Sequence, residues 1–508
     1  MSRSIYSLLN ARYGKVATPM ERRQFLKGTL AASAGLLISQ TPAWARPRLG
    51  RESGKRVVVI GVGFSGLTCA HELKAAGYDV TVLEARNRVG GRVLSFNAAN
   101  KNEYIKGRNV EGGAELIGSN HPAWVNFAEQ FKFEWLDVTE EEEGAQFPIV
   151  IDGKLLGYEE AGKVWEEMEA ALNKLNELAA PVLEDEPWNT PDAAKLDAMN
   201  TAAWIEKLDV SPVCKRAMWI NQTSDNGQDA GKQSLLGQLA SVKGGQLEKY
   251  WTESEVYRCK GGNDQLARKL AEGIGAGRLT LELPASEITL KGQNVIVTAK
   301  DGRTIECDDV VLAVPPPTWK KITFNPGLPA AMNPQMGINT KWLAHVKARF
   351  WETHTPKLCQ YALSDGYNQQ TWDATDAQGP VDETNGGACM TGFSGGPMAE
   401  KALAMSKEER EAAFSAQYEA FYPGFGENKV ATRYMDWPKE AWTGASYSFP
   451  APGQVTTVGP MMAKAHMGGK LHIAGEHACY KFVGYMEGAL SSGAAIAKRL
   501  AKRDGVVK

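Results

Sequence analysis

The stretch that most limits what this chain can fold into is RVVVIGVGFSG, residues 56–66. Val57 to Ile60 form a four-residue apolar run that reads as a buried strand, and Gly61, Gly63 and Gly66 follow at once. LTCAHELKAAG then reads as a helix closed by Gly77, and DVTVLEA as a second strand ending in Glu84. Each part has a physical task. Gly61 makes the tight turn, Gly63 lets the backbone approach a pyrophosphate, and Gly66 allows close helix–strand packing. The free N–H groups and positive dipole end of the helix face the phosphates. Glu84, 18 residues after Gly66, is placed to accept hydrogen bonds from ribose hydroxyls. A glycine triplet alone is a weak signal; strand, helix, second strand and acid in this order make it specific.

The next segments favour FAD over a nicotinamide cofactor. ARNRVGGRVLS sets Arg86, Arg88 and Arg92 around Gly90 and Gly91, which gives extra phosphate contacts. NVEGGAELIG carries Gly112 and Gly113, again a place where backbone must approach something closely. On the motif VIGVGFSGLTCAHELKAAGYDVTVLEARNRVGGR the chain resembles the flavin amine oxidase family, which contains monoamine, polyamine and L-amino-acid oxidases. ELIGSNHPAW and a long helical insert look most like the bacterial L-amino-acid oxidases.

The resemblance implies a two-domain α/β fold. A discontinuous Rossmann-like FAD domain takes residues 54–125, 245–330 and 452–502. A mixed-sheet substrate domain with a helical insert takes 126–244 and 331–451. It also implies cofactor contacts at Gly61, Gly63, Ser65, Gly66, Glu84, Ala85, Arg86, Gly91, Arg92, Gly112, Gly113, Ala114, Glu115 and Ala285. Further contacts fall at Trp437, Gly475, Glu476, Gly484, Tyr485 and Met486. KWLAHVKARF, residues 341–350, alternates, and Lys341 read alone is a solvated strand residue. The family places a lysine there, ahead of a Phe-Trp pair (here Phe350-Trp351), where it holds a water near flavin N5. Tyr447 and Tyr485 match the two tyrosines of the family's aromatic cage, so the expected catalytic set is Lys341, Tyr447 and Tyr485. Ser446 stands where monoamine oxidases carry the cysteine that bonds the flavin, which implies non-covalent FAD.

The chemistry implied is transfer of a hydride from the amine-bearing carbon to the flavin, hydrolysis of the imine, and reoxidation by O2 to give H2O2. The first expectation for the substrate is an L-amino acid, oxidised to a 2-oxo acid and ammonia. A primary amine or polyamine is the alternative, and a desaturase- or isomerase-type flavoprotein the reading from another class. The best-known L-amino-acid oxidases hold the substrate carboxylate with an arginine shortly after the Gly-Gly turn. Glu115 stands at or near that position here, so Arg258 is the candidate carboxylate ligand. Trp372 and Trp442 join Glu115 and Arg258 in the expected substrate-binding set.

A chain of 508 residues needs two or three lobes. Its net charge of -2 gives no electrostatic reason to expect nucleic acid. The seven cysteines are widely spaced and never form CxxC, which argues against a disulfide framework or a zinc site, and no metal is expected. The expected partners are a small amine or amino acid and O2; a homodimer is one assembly the sequence permits.

At the N-terminus, ERRQFLK, the apolar run GTLAASAGLLIS and TPAWA form the three-part layout of an export signal over residues 1–45. Arg22 and Arg23 resemble a twin-arginine signal, which implies a periplasmic or secreted protein exported already folded. The apolar run is too short to act as a stable membrane anchor. Residues 1 to about 53 are therefore expected to stand apart from the fold. Near the other end, LHIAGEHACYKFVGYMEGALSSG reads as a strand, a loop and a small-residue helix. His477 and Cys479 lack further ligands for a metal site, and the segment resembles the family's last FAD contact.

Overall fold

In the computed structural model, which describes residues 5–14, 37–38, 53–139, 145–381 and 386–507, the Arg56–Ile60 strand is the middle of a five-stranded parallel sheet. The strand order is Leu471–Ile473, Asp309–Leu312, Arg56–Ile60, Asp79–Leu83, Leu279–Thr280. Three separated stretches of chain thus build one sheet. Its strands read as nearly unbroken Val, Ile and Leu because a parallel sheet is covered on both faces. The Phe64–Ala75 and Met486–Arg503 helices pack against each other there. Their approach is close enough that a Cβ on Gly493 would lie 2.2 Å from the Ser65 carbonyl oxygen. That contact is why position 493 carries no side chain.

The segment 285–325 folds as a four-stranded sheet, with turns at Gly292 (φ 64°) and Gly302 (φ 89°), the positions marked by Lys-Gly and Asp-Gly in the sequence. A seven-stranded mixed sheet carries the other lobe, in the order Lys429–Met435, Asn339–Val346, Ala388–Gly395, Gln370–Asp373, Ala362–Ser364, Ile149–Ile151, Lys154–Leu155. Two lobes thus share the chain, the two-domain α/β arrangement that the resemblance implies. The Asn339–Val346 strand lies inside that sheet, with Lys341 opposite Phe393 on one side and Met435 on the other. This corrects the reading of Lys341 on a solvated face: seven of the strand's eight residues are buried.

The helical insert runs alongside. In its Tyr158–Ala179 helix, Met168, Leu172 and Leu175 are buried, whereas Leu178 is 41% exposed. Among the described residues no helix is long and apolar enough to cross a membrane.

The expectation that the N-terminal segment stands apart from the fold is wrong for residues 5–13. They form a helix whose residues Ile5 to Leu9 are all buried. The Ile5 amide donates to Asn221 Oδ1 at 2.8 Å, and Tyr13 stacks on Trp165 with ring centres 6.2 Å apart. Trp165 therefore faces a segment 152 positions upstream, which no local periodicity reveals. The paired arginines and the TPAWA pattern lie outside the described residues.

Candidate active site

A cavity begins at the glycine fingerprint and ends between Tyr447 and Tyr485. At its first end the backbone is held open. Gly61 has φ 102°, and a Cβ there would meet the Ala313 carbonyl oxygen at 2.7 Å. A Cβ on Gly66 would lie 2.0 Å from the Gly61 oxygen, so Gly66 serves the close helix–strand approach and does not line the cavity. Gly63 differs: a Cβ there meets nothing within 4 Å and would project into open space. Ser65 Oγ, on the first turn of the helix, is buried, lines the cavity and has no protein partner. Glu84 lines it too, accepting from the Val62 and Arg86 amides at 2.9 and 2.8 Å. Open space beside Gly63 and an unpartnered hydroxyl at a helix N-terminus fit a bound pyrophosphate.

Arg86 and Arg92 line the cavity, but Arg88 does not. Its guanidinium donates to the carbonyl oxygens of Val89, Gly91 and Val93 and folds the Gly-Gly turn. Ala85, Gly91, Gly113, Ala114, Ala285, Trp437, Gly475, Glu476, Gly484 and Met486 line the cavity. Gly112 stands behind the wall, where its carbonyl accepts from Trp437 Nε1 at 2.9 Å. His477, which sequence reasoning set aside, is a lining residue. Both its ring nitrogens are buried without a protein partner, and burial pushes its pKa down to about 4. It is thus a neutral imidazole facing the cavity. Cys479 does not line it, and burial raises its thiol pKa to about 12.

Glu476 organises the far end. Its carboxylate accepts from Arg92 at 2.8 Å, from Ser448 Oγ at 2.7 Å and from the Gly484 amide at 2.9 Å. One buried acid thereby ties the turn carrying Tyr447 to the loop carrying Tyr485. Burial would raise its pKa, but Arg92 and these donors hold it below the usual range. Gly484, at φ 83°, packs against the Tyr447 ring, which a Cβ would approach to 3.1 Å. Tyr447 donates to the Asp225 carbonyl oxygen, and Tyr485 lies edge-on to His121 with ring centres 5.3 Å apart. Burial raises both phenol pKa values far above their ordinary value, so both stay uncharged.

Lys341 lines the cavity beside Phe393, which the sequence did not single out because only sheet pairing brings the two together. The lysine Nζ donates to Glu115 Oε2 at 2.7 Å and lies 5.4 Å from the centre of the Trp372 ring. Glu115 is fully shared: its Oε1 accepts from Arg258 Nε at 2.9 Å and from Trp372 Nε1 at 3.0 Å. Burial alone would raise the Glu115 pKa, but Lys341 and Arg258 outweigh it and hold the carboxylate ionised.

This network corrects three assignments. Glu115, Arg258 and Trp372 form a buried cluster behind Lys341 and do not line the cavity, so none of them is placed to touch a substrate or cofactor there. Arg258 is 3% exposed and also donates to the Asp373 carbonyl oxygen at 2.9 Å, so its guanidinium is committed inside the protein. Trp442 does line the cavity, but on the Glu84–Arg86 side. There its amide donates to Glu440, the acid that pairs with Arg86, and Lys321 lies 4.3 Å from the centre of its ring.

The family model for flavin-containing amine oxidoreductases matches residues 64–501. The chain belongs to that family. A model for pyridine nucleotide-disulphide oxidoreductases matches residues 16–111, the region of the glycine fingerprint. Among curated relatives, the chain is 26% identical over 482 residues to an L-amino acid dehydrogenase of Synechocystis sp., covering 87% of this chain and 94% of that one. It is also 26% identical over 477 residues to the flavin-containing amine oxidase A of Sus scrofa, covering 89% of this chain and 86% of that one. Among solved structures, cyclohexylamine oxidase from Brevibacterium oxydans IH-35A has the same fold, with TM-score 0.76, 24% identity, and coverage of 89% of this chain and 99% of that one.

As a flavin amine oxidoreductase the chain uses FAD, and the residues fit it without a covalent bond. No cysteine lines the cavity among the described residues, and Ser446 Oγ donates to Asn339 Oδ1 at 2.7 Å. Acid precipitation is expected to release all the yellow colour into the supernatant; colour retained on the pellet would contradict a non-covalent cofactor. Gly63→Val should fold normally, because Gly63 has φ -67° and ψ 173°, values a β-branched residue adopts. Its side chain would fill the pyrophosphate space and weaken FAD binding by about tenfold or more, a loss of at least ~1.4 kcal/mol. Titration of the apoprotein with FAD checks this, and unchanged affinity would remove the pyrophosphate from that site.

Proposed function

We propose that this protein oxidises the C–N bond of an amine that lacks a carboxylate, with O2 as the final electron acceptor. The observation that carries this reading is the charge around the tyrosine end of the cavity. Among the described residues, the two arginines of this region are each already paired with a carboxylate. Arg258 is committed to Glu115, and Arg92 to Glu476 and the Ser446 carbonyl oxygen. A smaller cavity that also touches Tyr485 is bordered by two more acids, Asp225 and Glu255; burial pushes the Asp225 pKa up to about 7, so it carries only part of a negative charge at neutral pH. Carboxylates repel a second carboxylate and attract an ammonium group.

When bound, FAD supplies the two-electron acceptor for the C–H bond beside the amine. The protein's part is positioning. Tyr447, Tyr485 and Phe393 would form the apolar walls that exclude water and align the amine, and the loss of solvation there favours its neutral form. Lys341, fixed by Glu115, would hold a water at the polar edge of this space. The proposed catalytic set is therefore Lys341, Tyr447 and Tyr485. Reading residues 1–45 as a twin-arginine leader adds that the enzyme works outside the cytoplasm.

A second reading, oxidation of an L-amino acid to a 2-oxo acid with release of ammonia and H2O2, has one observation in its favour. The relative named L-amino acid dehydrogenase is matched over 94% of its length. Peroxide release from benzylamine, tyramine and putrescine, set against a panel of L-amino acids, separates the two. Activity confined to substrates bearing an α-carboxylate would overturn the plain-amine reading.

A further inference from the structure

We infer that the helix formed by Ile5–Tyr13 is a plug, which closes the substrate side of the cavity in the full-length chain and is withdrawn when the leader is removed. Leu8 is buried in a small cluster with Tyr361, Trp372 and Phe393. Two of these belong to the site: Phe393 lines the main cavity opposite Lys341, and Trp372 holds Glu115. Ser7 forms part of the wall of the smaller cavity, whose other walls include Asp225, Tyr250 and Tyr485. Tyr485 borders both spaces, so one ring is common to the walls of the two cavities. The helix therefore touches the site twice, at Phe393 through Leu8 and at the smaller space beside Tyr485 through Ser7.

The helix is also fastened by contacts of a reversible kind. The Ile5 amide donates to Asn221 Oδ1, Tyr13 Oη donates to the Tyr158 carbonyl oxygen at 3.0 Å, and Arg12 lies over the Tyr158 ring. It contains no cysteine, so no disulfide holds it. All nine residues lie upstream of Arg22-Arg23 and of the cleavage pattern ending at Ala45. Cutting there detaches the helix from the chain, and only non-covalent contacts then keep it in place. A precursor that folds and loads its cofactor before export would thus stay silent until processed. The inference rests on the reading of residues 21–45 as an export leader and on that of the cavity as the amine site.

The test uses the full-length, FAD-loaded chain and its Leu8→Asp variant, with Ile5→Asp as a second variant should the first fail to fold. Two quantities are measured: hydrogen exchange in segments 361–373 and 391–395, and the anaerobic loss of flavin colour on mixing with benzylamine or tyramine. The plug predicts that the variant exchanges faster in both segments and loses its colour at least tenfold faster than the parent. Equal exchange and equal rates would overturn it. If neither chain reacts with any amine, the amine reading fails, and the exchange comparison alone decides whether the helix is a releasable cover. An exported protein that still begins at Met1 would sink the leader reading; the variant comparison would still decide the plug.

Discussion

Glu115→Gln is expected to destabilise the folded protein by about 3–5 kcal/mol, the usual cost of stripping the partner from a buried charge. The effect is large because one carboxylate serves two cations. Its oxygens lie 2.7 Å from Lys341 Nζ and 2.9 Å from Arg258, and neither cation is more than 6% exposed in its side chain. Glutamine keeps the shape and loses the charge, which leaves a buried lysine and a buried arginine facing an amide. Comparing the denaturation midpoints of the FAD-free proteins gives the difference without a contribution from ligand binding. A change below about 1 kcal/mol would mean that solvent or another acid compensates the two cations.

Lys341→Met should behave differently. It removes one cation, but Glu115 keeps Arg258 and Trp372 as partners, so the carboxylate is not orphaned. The loss falls on the cavity, where the lysine stands opposite Phe393 in the paired strands. Flavin reduction by a good amine should slow by about 10²-fold, at the lower end of what a positioned proton-handling group contributes. FAD content should remain normal. A rate within about threefold of the parent would exclude Lys341 from the chemistry and leave it a structural member of the Glu115 cluster.

The FAD half of the molecule was legible in the sequence because its signals are local. Gly61, Gly63, Gly66 and Glu84 lie within 24 consecutive residues, and each has a spacing requirement that a strand–helix–strand unit imposes. Tyr447, Tyr485 and Lys341 were reached through family resemblance, and all three line the same cavity. What stayed hidden depends on partners far away in the chain. Arg258 and Glu115 are 143 positions apart, so nothing local shows that each neutralises the other. A lone arginine near a Gly-Gly turn looks available until the fold closes over it.

Burial hid the rest. Lys341 alternates with apolar residues and so reads as solvated, but the sheet continues on both sides of its strand. His477 looked like an unsupported metal ligand because the space it faces belongs to a cofactor that no sequence displays. The Ile5–Tyr13 helix was set aside with the leader, since a signal layout carries no information about whether residues ahead of it pack against the mature fold.

The central claim is that the cavity passes electrons from a plain amine to FAD. The direct measurement is anaerobic mixing of the FAD-loaded protein with benzylamine, tyramine or putrescine, and separately with L-amino acids, while following the flavin absorbance. Rapid loss of the yellow colour with at least one plain amine, and much slower loss with L-amino acids, is the expected result. Loss of colour with L-amino acids alone, or with no amine at all, would contradict the account.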